Sequence, residues 1–381
     1  MKLPVGFKGL GAATGMKASG NPDLAVIFSQ YPLAWAMTTT QNALKAPFIL
    51  RNRSRYTSEQ PIRAVAINSG FANCLTGDQG FIDNDDFVAI VGTVLNLKAQ
   101  DVLTASTGVL GQRLPVDIIR ENLPKLISQL GDDTGPVAQA IMTTDSGTKQ
   151  VATNLRSGAR IVGIAKGAGM IHPNMATMLS FVMTDASINQ QKLRELWPQI
   201  VKRSYNQISV DGDMSPNDTA MLLSSGRVYA DEEEFAEALL KVCEKLGQKI
   251  ARDGEGATKL LVVNVKRARN DDEARKAARA VIVSPLVKCA AHGNDPNWGR
   301  ILSAVGAAGL IYSFGNVSVR IQGDTVYDGG PKPFDVDSLS AKMAAEELVI
   351  DIDLAAGEGK STAWGCDLSP EYVRINSDYH T

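Results

Sequence analysis

Histidine and cysteine are both scarce in this chain, and neither is spaced for the chemistry it usually carries: three histidines and four cysteines in 381 residues. Cys74, Cys243, Cys289 and Cys366 form no CxxC pair, which excludes a zinc cluster and a disulfide framework and fits a reducing cytoplasm. His172, His292 and His380 lack metal-ligand spacing, so the expected metal is none, and a histidine-based triad or metal hydrolase is disfavoured. No apolar run approaches the roughly 18 residues of a membrane span, and the opening Met-Lys-Leu-Pro-Val-Gly-Phe-Lys-Gly holds no leader core. Excess charge is lacking too. With 39 Lys and Arg against 41 Asp and Glu, dispersed and netting -2, the chain offers no footprint for nucleic acid or an anionic membrane.

Familiar ligand loops are also missing. Gly359-Lys360-Ser361 ends like a phosphate-binding loop, but Leu354 stands where its first glycine belongs. Asp211, Asp213, Ser215 and Asn217 imitate a calcium loop, with Pro216 in the glycine position and Leu222 in that of the bidentate glutamate. Gly9 and Gly11 come too early to follow the first strand of a dinucleotide-binding unit.

What is present is enough apolar sequence, 44% of residues, for one large core or two moderate ones. Strand-like runs at 24–28, 63–67, 178–183, 260–265, 317–321 and 349–354 alternate with helical patterns at 85–97, 115–130, 190–203, 232–251 and 273–282. That alternation predicts a mixed α/β architecture. The 63–67 run is expected to enter a turn at Asn68-Ser69-Gly70, and Ser106-Thr107-Gly108-Val109 reads by itself as a turn after the 102–104 run. Phe235, Leu239, Val242, Leu246 and Ile250 recur at helical spacing as a core face.

The most informative stretch is 169–179, Gly-Met-Ile-His-Pro-Asn-Met-Ala-Thr-Met-Leu, where a glycine-rich loop delivers an Ala-Thr bond into an apolar run. Alone, Thr177 reads as the first residue of a strand. If Ala176-Thr177 were cut, however, its hydroxyl would share a residue with a free α-amine able to act as base. Such an amine has a reference pKa of about 7.7–8.0, against about 10.4 for lysine, so a useful fraction is unprotonated at neutral pH.

Three further segments carry a specific pattern: Ala165-Lys166-Gly167-Ala168-Gly169-Met170 leading into Pro173-Asn174-Met175-Ala176-Thr177, Ser209-Val210-Asp211-Gly212-Asp213 with Asn217-Asp218-Thr219, and Ser284-Pro285-Leu286-Val287-Lys288 with Asp295-Pro296-Asn297-Trp298-Gly299-Arg300. With Met142-Thr143-Thr144-Asp145, Asp253-Gly254-Glu255-Gly256 and the tail 376–381, they resemble the ornithine acetyltransferase family, also called glutamate N-acetyltransferase or the arginine-biosynthesis bifunctional protein. The resemblance runs from Gly6 to Thr381. Departures are local: Phe71 replaces a polar residue in Asn68-Ser69-Gly70-Phe71-Ala72-Asn73, and Pro216 and His380 stand where threonine and arginine are commoner.

The resemblance implies a layered α/β fold, stacked sheets flanked by helices in two lobes, with the site between them. It implies self-cleavage at Ala176-Thr177 into an α chain, 1–176, and a β chain, 177–381, assembled as two of each. It further implies that acetyl passes from N-acetylornithine to Thr177 and on to glutamate, releasing ornithine and N-acetylglutamate. Thr107 and Gly108 match the family's oxyanion pair. Thr143, Lys166, Thr177, Glu255, Asn376 and Thr381 match its substrate contacts, Glu255 being the candidate partner of the δ-ammonium of ornithine. No cofactor is implied, and acetyl-CoA as a further acetyl donor is left open. An amidase or aminopeptidase using the same terminal threonine, with water as acceptor, is the rival reading.

Thr177→Ala is expected to leave one uncut chain where the wild type gives two fragments, because it removes the attacking hydroxyl. Thr177→Ser should still process. A denaturing gel with wild-type fragments from Thr177→Ala would exclude this residue as the cleavage nucleophile.

Overall fold

The strands follow the apolar runs, and the helices between them the 3.6-residue periodicity, in a computed structural model that describes residues 1–58, 60–172, 178–310 and 313–378. Eight strands form one sheet: β1 (Phe7–Ala12), β2 (Leu24–Thr39), β3 (Ile62–Phe71), β4 (Val102–Val109), β5 (Lys149–Asn154), β6 (Arg160–Lys166), β7 (Leu179–Ser187) and β8 (Thr219–Tyr229). Their order is β4-β3-β2-β8-β7-β6-β5, with β1 laid on β2. Five more form a second sheet, β11-β10-β12-β9-β13, from β9 (Leu260–Ala268), β10 (Ser318–Ile321), β11 (Asp324–Asp328), β12 (Glu347–Asp353) and β13 (Gly359–Cys366).

β7 is buried at every position but its last, as an apolar run without polar alternation requires when both faces of a sheet are covered. Its side chains alternate between two cores. Phe181 and Met183 pack with Trp35, Met221 and Phe48 on one face, while Val182 packs with Trp197, Leu222 and Leu246 on the other. The helix Glu232–Arg252 starts where the Asp231 carboxylate accepts the Glu234 N–H at 2.9 Å, and three glutamates fill its first turn, favourable at the positive end of the helix dipole. Phe235, Leu239, Val242, Leu246 and Ile250 are all buried, as their spacing predicted. This helix packs on β5 and β6 of one sheet and on β9 and β13 of the other, and so joins the two.

Two expectations fail at the strand ends. Asn68-Ser69-Gly70 makes no turn, and Ser106-Thr107-Gly108-Val109 belongs to a strand, because β3 and β4 go on pairing in parallel through Asn68↔Ser106, Ser69↔Thr107, Gly70↔Gly108 and Phe71↔Val109. The polar residues therefore extend the sheet beyond its apolar part. The helix expected at 85–97 spans Gly77–Leu95, and the one expected at 115–130 stops at Leu126, followed by a short 3₁₀ segment.

Gly108 has a reason to be glycine. Its φ is +131°, and a Cβ there would lie 2.2 Å from the carbonyl carbon of Gly70. Gly108→Ala must push β3 and β4 apart, and is expected to cost about 1–3 kcal/mol in a urea unfolding curve. An unchanged midpoint would mean that the two strands are free to separate there.

Candidate active site

The ends of β4 and β6, the segment 169–171, the start of β7 and the loop before β8 open on one cavity. Thr107, Gly108, Thr143, Lys166, Glu255 and Asn376 all line it, although they come from five separate stretches of sequence. Met178 and Leu179, directly after Thr177, line it too. Ala176, Thr177 and Thr381 themselves lie outside the described residues.

Lys166 is the last residue of β6, 8% exposed, and its Nζ reaches Thr107 Oγ1 at 3.4 Å, a long contact that leaves donors for a ligand. Burial pulls its ammonium below the ordinary lysine range; Asp145 opposes that, Lys149 adds to it, and Asp218 and Glu255 oppose it further. Asp145 is the centre of this network. Its carboxylate accepts the Gly167 N–H at 2.6 Å, the Thr143 N–H at 3.0 Å and Lys149 Nζ at 2.6 Å. Burial alone would raise it, but Lys166, Lys149 and the Gly167 N–H hold it down at about 2. Lys149 also reaches Asp253 at 2.5 Å. Lys17, brought down to about 8 chiefly by burial, donates to the carbonyl of Met142 at 2.7 Å, beside Thr143.

The loop that leads toward Thr177 is held from the other side. Asp211 accepts the Met170 and Ile171 N–H groups at 2.6 and 2.9 Å, and Val210 donates to the Ile171 carbonyl at 2.7 Å. Met170 keeps a φ of +54°, uncommon for a residue with a side chain. A Cβ on Gly169 would fall 2.4 Å from the Glu255 carboxylate and would displace it. Glu255 in turn accepts from Asn376 Nδ2 at 2.9 Å. Asn376 belongs to the helix Pro370–Asp378, so the C-terminal stretch reaches the cavity as a turn of helix.

Sequence reasoning gave no role to Asp145, Asn217 or Asp218. Each sat in a segment that carried the resemblance, yet only Thr143 was assigned from the first. The available signal was the acid itself: Asp218 directly precedes the apolar run of β8, and both it and Asp145 are buried. Among the described residues, no group of three His, Cys, Asp or Glu side chains is placed to hold a metal ion. No helix among them is long and apolar enough to cross a membrane.

Fold and cavity together define a two-sheet α/β protein with a small polar site, cationic at Lys166 and anionic at Glu255 and Asp218, suited to a ligand bearing both charges. The family model of ArgJ matches residues 8–381, and the chain belongs to the ArgJ family. It is similar to the arginine biosynthesis bifunctional protein ArgJ of Thermus thermophilus, 47% identical over 383 residues covering 100% of both chains. It is similar also to that of Deinococcus radiodurans, 46% identical over 100% of this chain and 98% of the relative. A crystal structure of the arginine biosynthesis bifunctional protein of Bacillus halodurans superposes with a TM-score of 0.52 at 39% identity, covering 53% of this chain and 100% of that one.

Asp145→Asn removes the buried partner of Lys149 and Lys166, and is expected to cost about 3 kcal/mol at neutral pH. The folded carboxyl ionises at about 2, below its ordinary 3.8. Its contribution is therefore complete above about pH 4 and is lost as pH falls toward 2. Urea unfolding of both proteins down this range checks it: the gap between wild type and variant should narrow, and a constant gap would deny the carboxylate this part.

Proposed function

We propose that this chain is a self-processing acetyltransferase of arginine biosynthesis that moves acetyl from N-acetylornithine to glutamate through an acetyl-Thr177 ester. The observation that carries the reading is the single cavity that gathers Thr107, Gly108, Lys166 and Glu255 beside Met178, the residue after the nucleophile. Membership of the ArgJ family across residues 8–381 supports it. So does the Bacillus halodurans chain, which is matched over its whole length by 53% of this one, roughly the share left in the larger product of a cut at Ala176-Thr177.

In the proposed chemistry the Thr177 hydroxyl attacks the Ala176 carbonyl through a five-membered ring, the carbon–nitrogen bond breaks to leave an ester and the free α-amine, and water then hydrolyses the ester to free the hydroxyl and the Ala176 carboxylate. That amine then takes the hydroxyl proton as Thr177 Oγ bonds to the acetyl carbon. The carbon–nitrogen bond breaks, and the proton leaves with the ornithine nitrogen. Glutamate runs the same steps in reverse. Thr107 and Gly108 donate to the oxygen on which charge develops, where one such donor is typically worth about 10²–10³ in rate. Lys166 takes the substrate carboxylate, and Glu255, steadied by Asn376, takes the δ-ammonium. Thr143 and Thr381 complete the polar contacts. Two α and two β fragments assemble, in a reducing cytoplasm that fits the four free cysteines.

Intact-mass spectrometry with labelled N-acetylornithine should find two fragments, with the label on residues 177–381, and then N-acetylglutamate in proportion to ornithine. Labelled acetate instead would make the enzyme an amidase. Thr107→Ala is expected to lower kcat about 10²-fold with little change in KM. An unchanged kcat with a raised KM would assign Thr107 to ground-state binding instead.

A further inference from the structure

His172 stands five residues before Thr177, in the loop between β6 and β7, half-buried and gripped at both ring nitrogens. Arg279 Nη2 lies 3.0 Å from its Nε2, and Ser209 Oγ lies 3.2 Å from its Nδ1. A guanidinium can only donate, so Nε2 accepts, the ring is neutral, and its one proton sits on Nδ1. That proton goes to Ser209 Oγ, and the serine in turn donates to the Ile171 carbonyl at 3.2 Å. The donors therefore point one way, from Arg279 through His172 and Ser209 onto the backbone of the loop.

Arg279 comes from a distant element. It sits on the helix Asp271–Val283, which packs on β9 and β13 of the second sheet, and its other Nη group donates to the Asn206 carbonyl. Burial pulls its guanidinium below the ordinary range, a cost that packing on the second sheet, done by Ala274, Ala277, Ala278 and Val281, does not require. The cost is met where the side chain reaches the loop. There Asp211 already holds the Met170 and Ile171 N–H groups and Val210 the Ile171 carbonyl, so His172 makes the third consecutive residue fixed from outside. His172, Ser209 and Arg279 do not line the cavity. What they hold is the stretch that leads to Ala176, the acyl side of the Ala176-Thr177 bond, whereas the hydroxyl side leads into β7. Once that bond is cut the two sides are separate chains, and the placing of His172 no longer bears on Thr177.

We infer that Arg279, His172 and Ser209 are positioning residues for self-cleavage, which aim the acyl side of the Ala176-Thr177 bond at the attacking hydroxyl and take no part in acetyl transfer. This rests on the function proposed above. None of the three exchanges a proton in the step: Thr177 Oγ bonds to the Ala176 carbonyl carbon, that carbon leaves the nitrogen, and the hydroxyl proton ends on the freed amine. Water then splits the ester into hydroxyl and carboxylate. The neutral ring that the arrangement needs is secured by its surroundings. Burial first and the Arg279 charge second bring His172 down from 6.5 to about 4, against the opposing pull of Asp213 in the loop before β8. Arg279 and Asp213 are the charged groups that face it among the described residues, with Asp211 on the neighbouring backbone. Below that pH a proton on Nε2 meets the guanidinium donor, and the series of bonds breaks.

The test follows precursor made by cell-free synthesis in the cold, with fragments read on a denaturing gel and transfer measured on the matured protein. His172→Gln keeps an acceptor for Arg279 and a donor for Ser209, whereas His172→Leu keeps neither. His172→Leu and Arg279→Leu should slow cleavage about 10- to 100-fold, the cost of a misplaced reacting group, while kcat for acetyl transfer stays within about twofold. His172→Gln should cleave near the wild-type rate. Equal slowing by Gln and Leu, no slowing by Leu, or cleavage and kcat falling together would each overturn the inference. A second measurement needs no apolar variant. The wild-type cleavage rate divided by that of His172→Gln should fall to about half near pH 4, as the imidazole takes a proton that the amide cannot. A flat ratio from pH 6 to pH 4 would also overturn the inference. If the wild type is never cut, the proposed function itself fails; if it is cut and every variant keeps pace, only the positioning role falls.

Discussion

One buried carboxylate holds this site together. Asp145 accepts backbone N–H groups from Thr143, which lines the cavity, and from Gly167, which follows Lys166, and compensates Lys149 and Lys166. Without it Lys149 would keep Asp253, but Lys166 would lose its largest opposing charge, and a poorly compensated charge out of water is among the costliest features a fold can carry. Asp145 is therefore the main counter-charge to the cation in the pocket, ahead of Asp218 and Glu255. The geometry of Thr143 and of the turn after Lys166 comes with it.

The rest of the cavity is likewise held by hydrogen bonds between segments remote in the chain. Asp211 pins 170–171, Ser106 and Ala72 pin Asn217, and Asn376 reaches Glu255 from the last helix. Side chains held this way lose little freedom when a ligand arrives, which is how a small site gains both affinity and orientation. A close backbone approach contributes at Gly108, where a Cβ would meet the Gly70 main chain, and at Gly169 a Cβ would displace the Glu255 carboxylate. The geometry at Gly108 is thus set by main-chain packing as much as by side-chain identity.

Much of the fold was legible in the sequence, wherever burial imposes a period. The face Phe235, Leu239, Val242, Leu246 and Ile250 and the run 178–183 announced a helix and a strand because covered surfaces repeat at 3.6 or run continuously apolar. The mixed α/β class followed from their alternation, and the specific polar segments pointed to a family and to six of the residues now found around one cavity. The sequence was misread where polar residues sit inside a sheet. Asn68-Ser69-Gly70 and Ser106-Thr107-Gly108 have the composition of turns, and only the pairing of β3 with β4, across more than thirty intervening residues, keeps them extended.

What the sequence determined by itself was local: which stretches are buried, which are punctuated by glycine and proline, and which residue types stand ready for acyl chemistry. Tertiary structure decided the rest, because charge and hydrogen-bond partnership act through space. Lys166 could be a solvated loop lysine until β6 buries it beside Asp145. Asn376 could be a loose end until a helix lays it on Glu255, and Asn217 could be any polar loop residue until the carbonyls of Ala72 and Ser106 take both its amide hydrogens. Periodicity records only how far a residue is from water. Which partner it meets there depends on segments remote in the chain, and no local pattern encodes that.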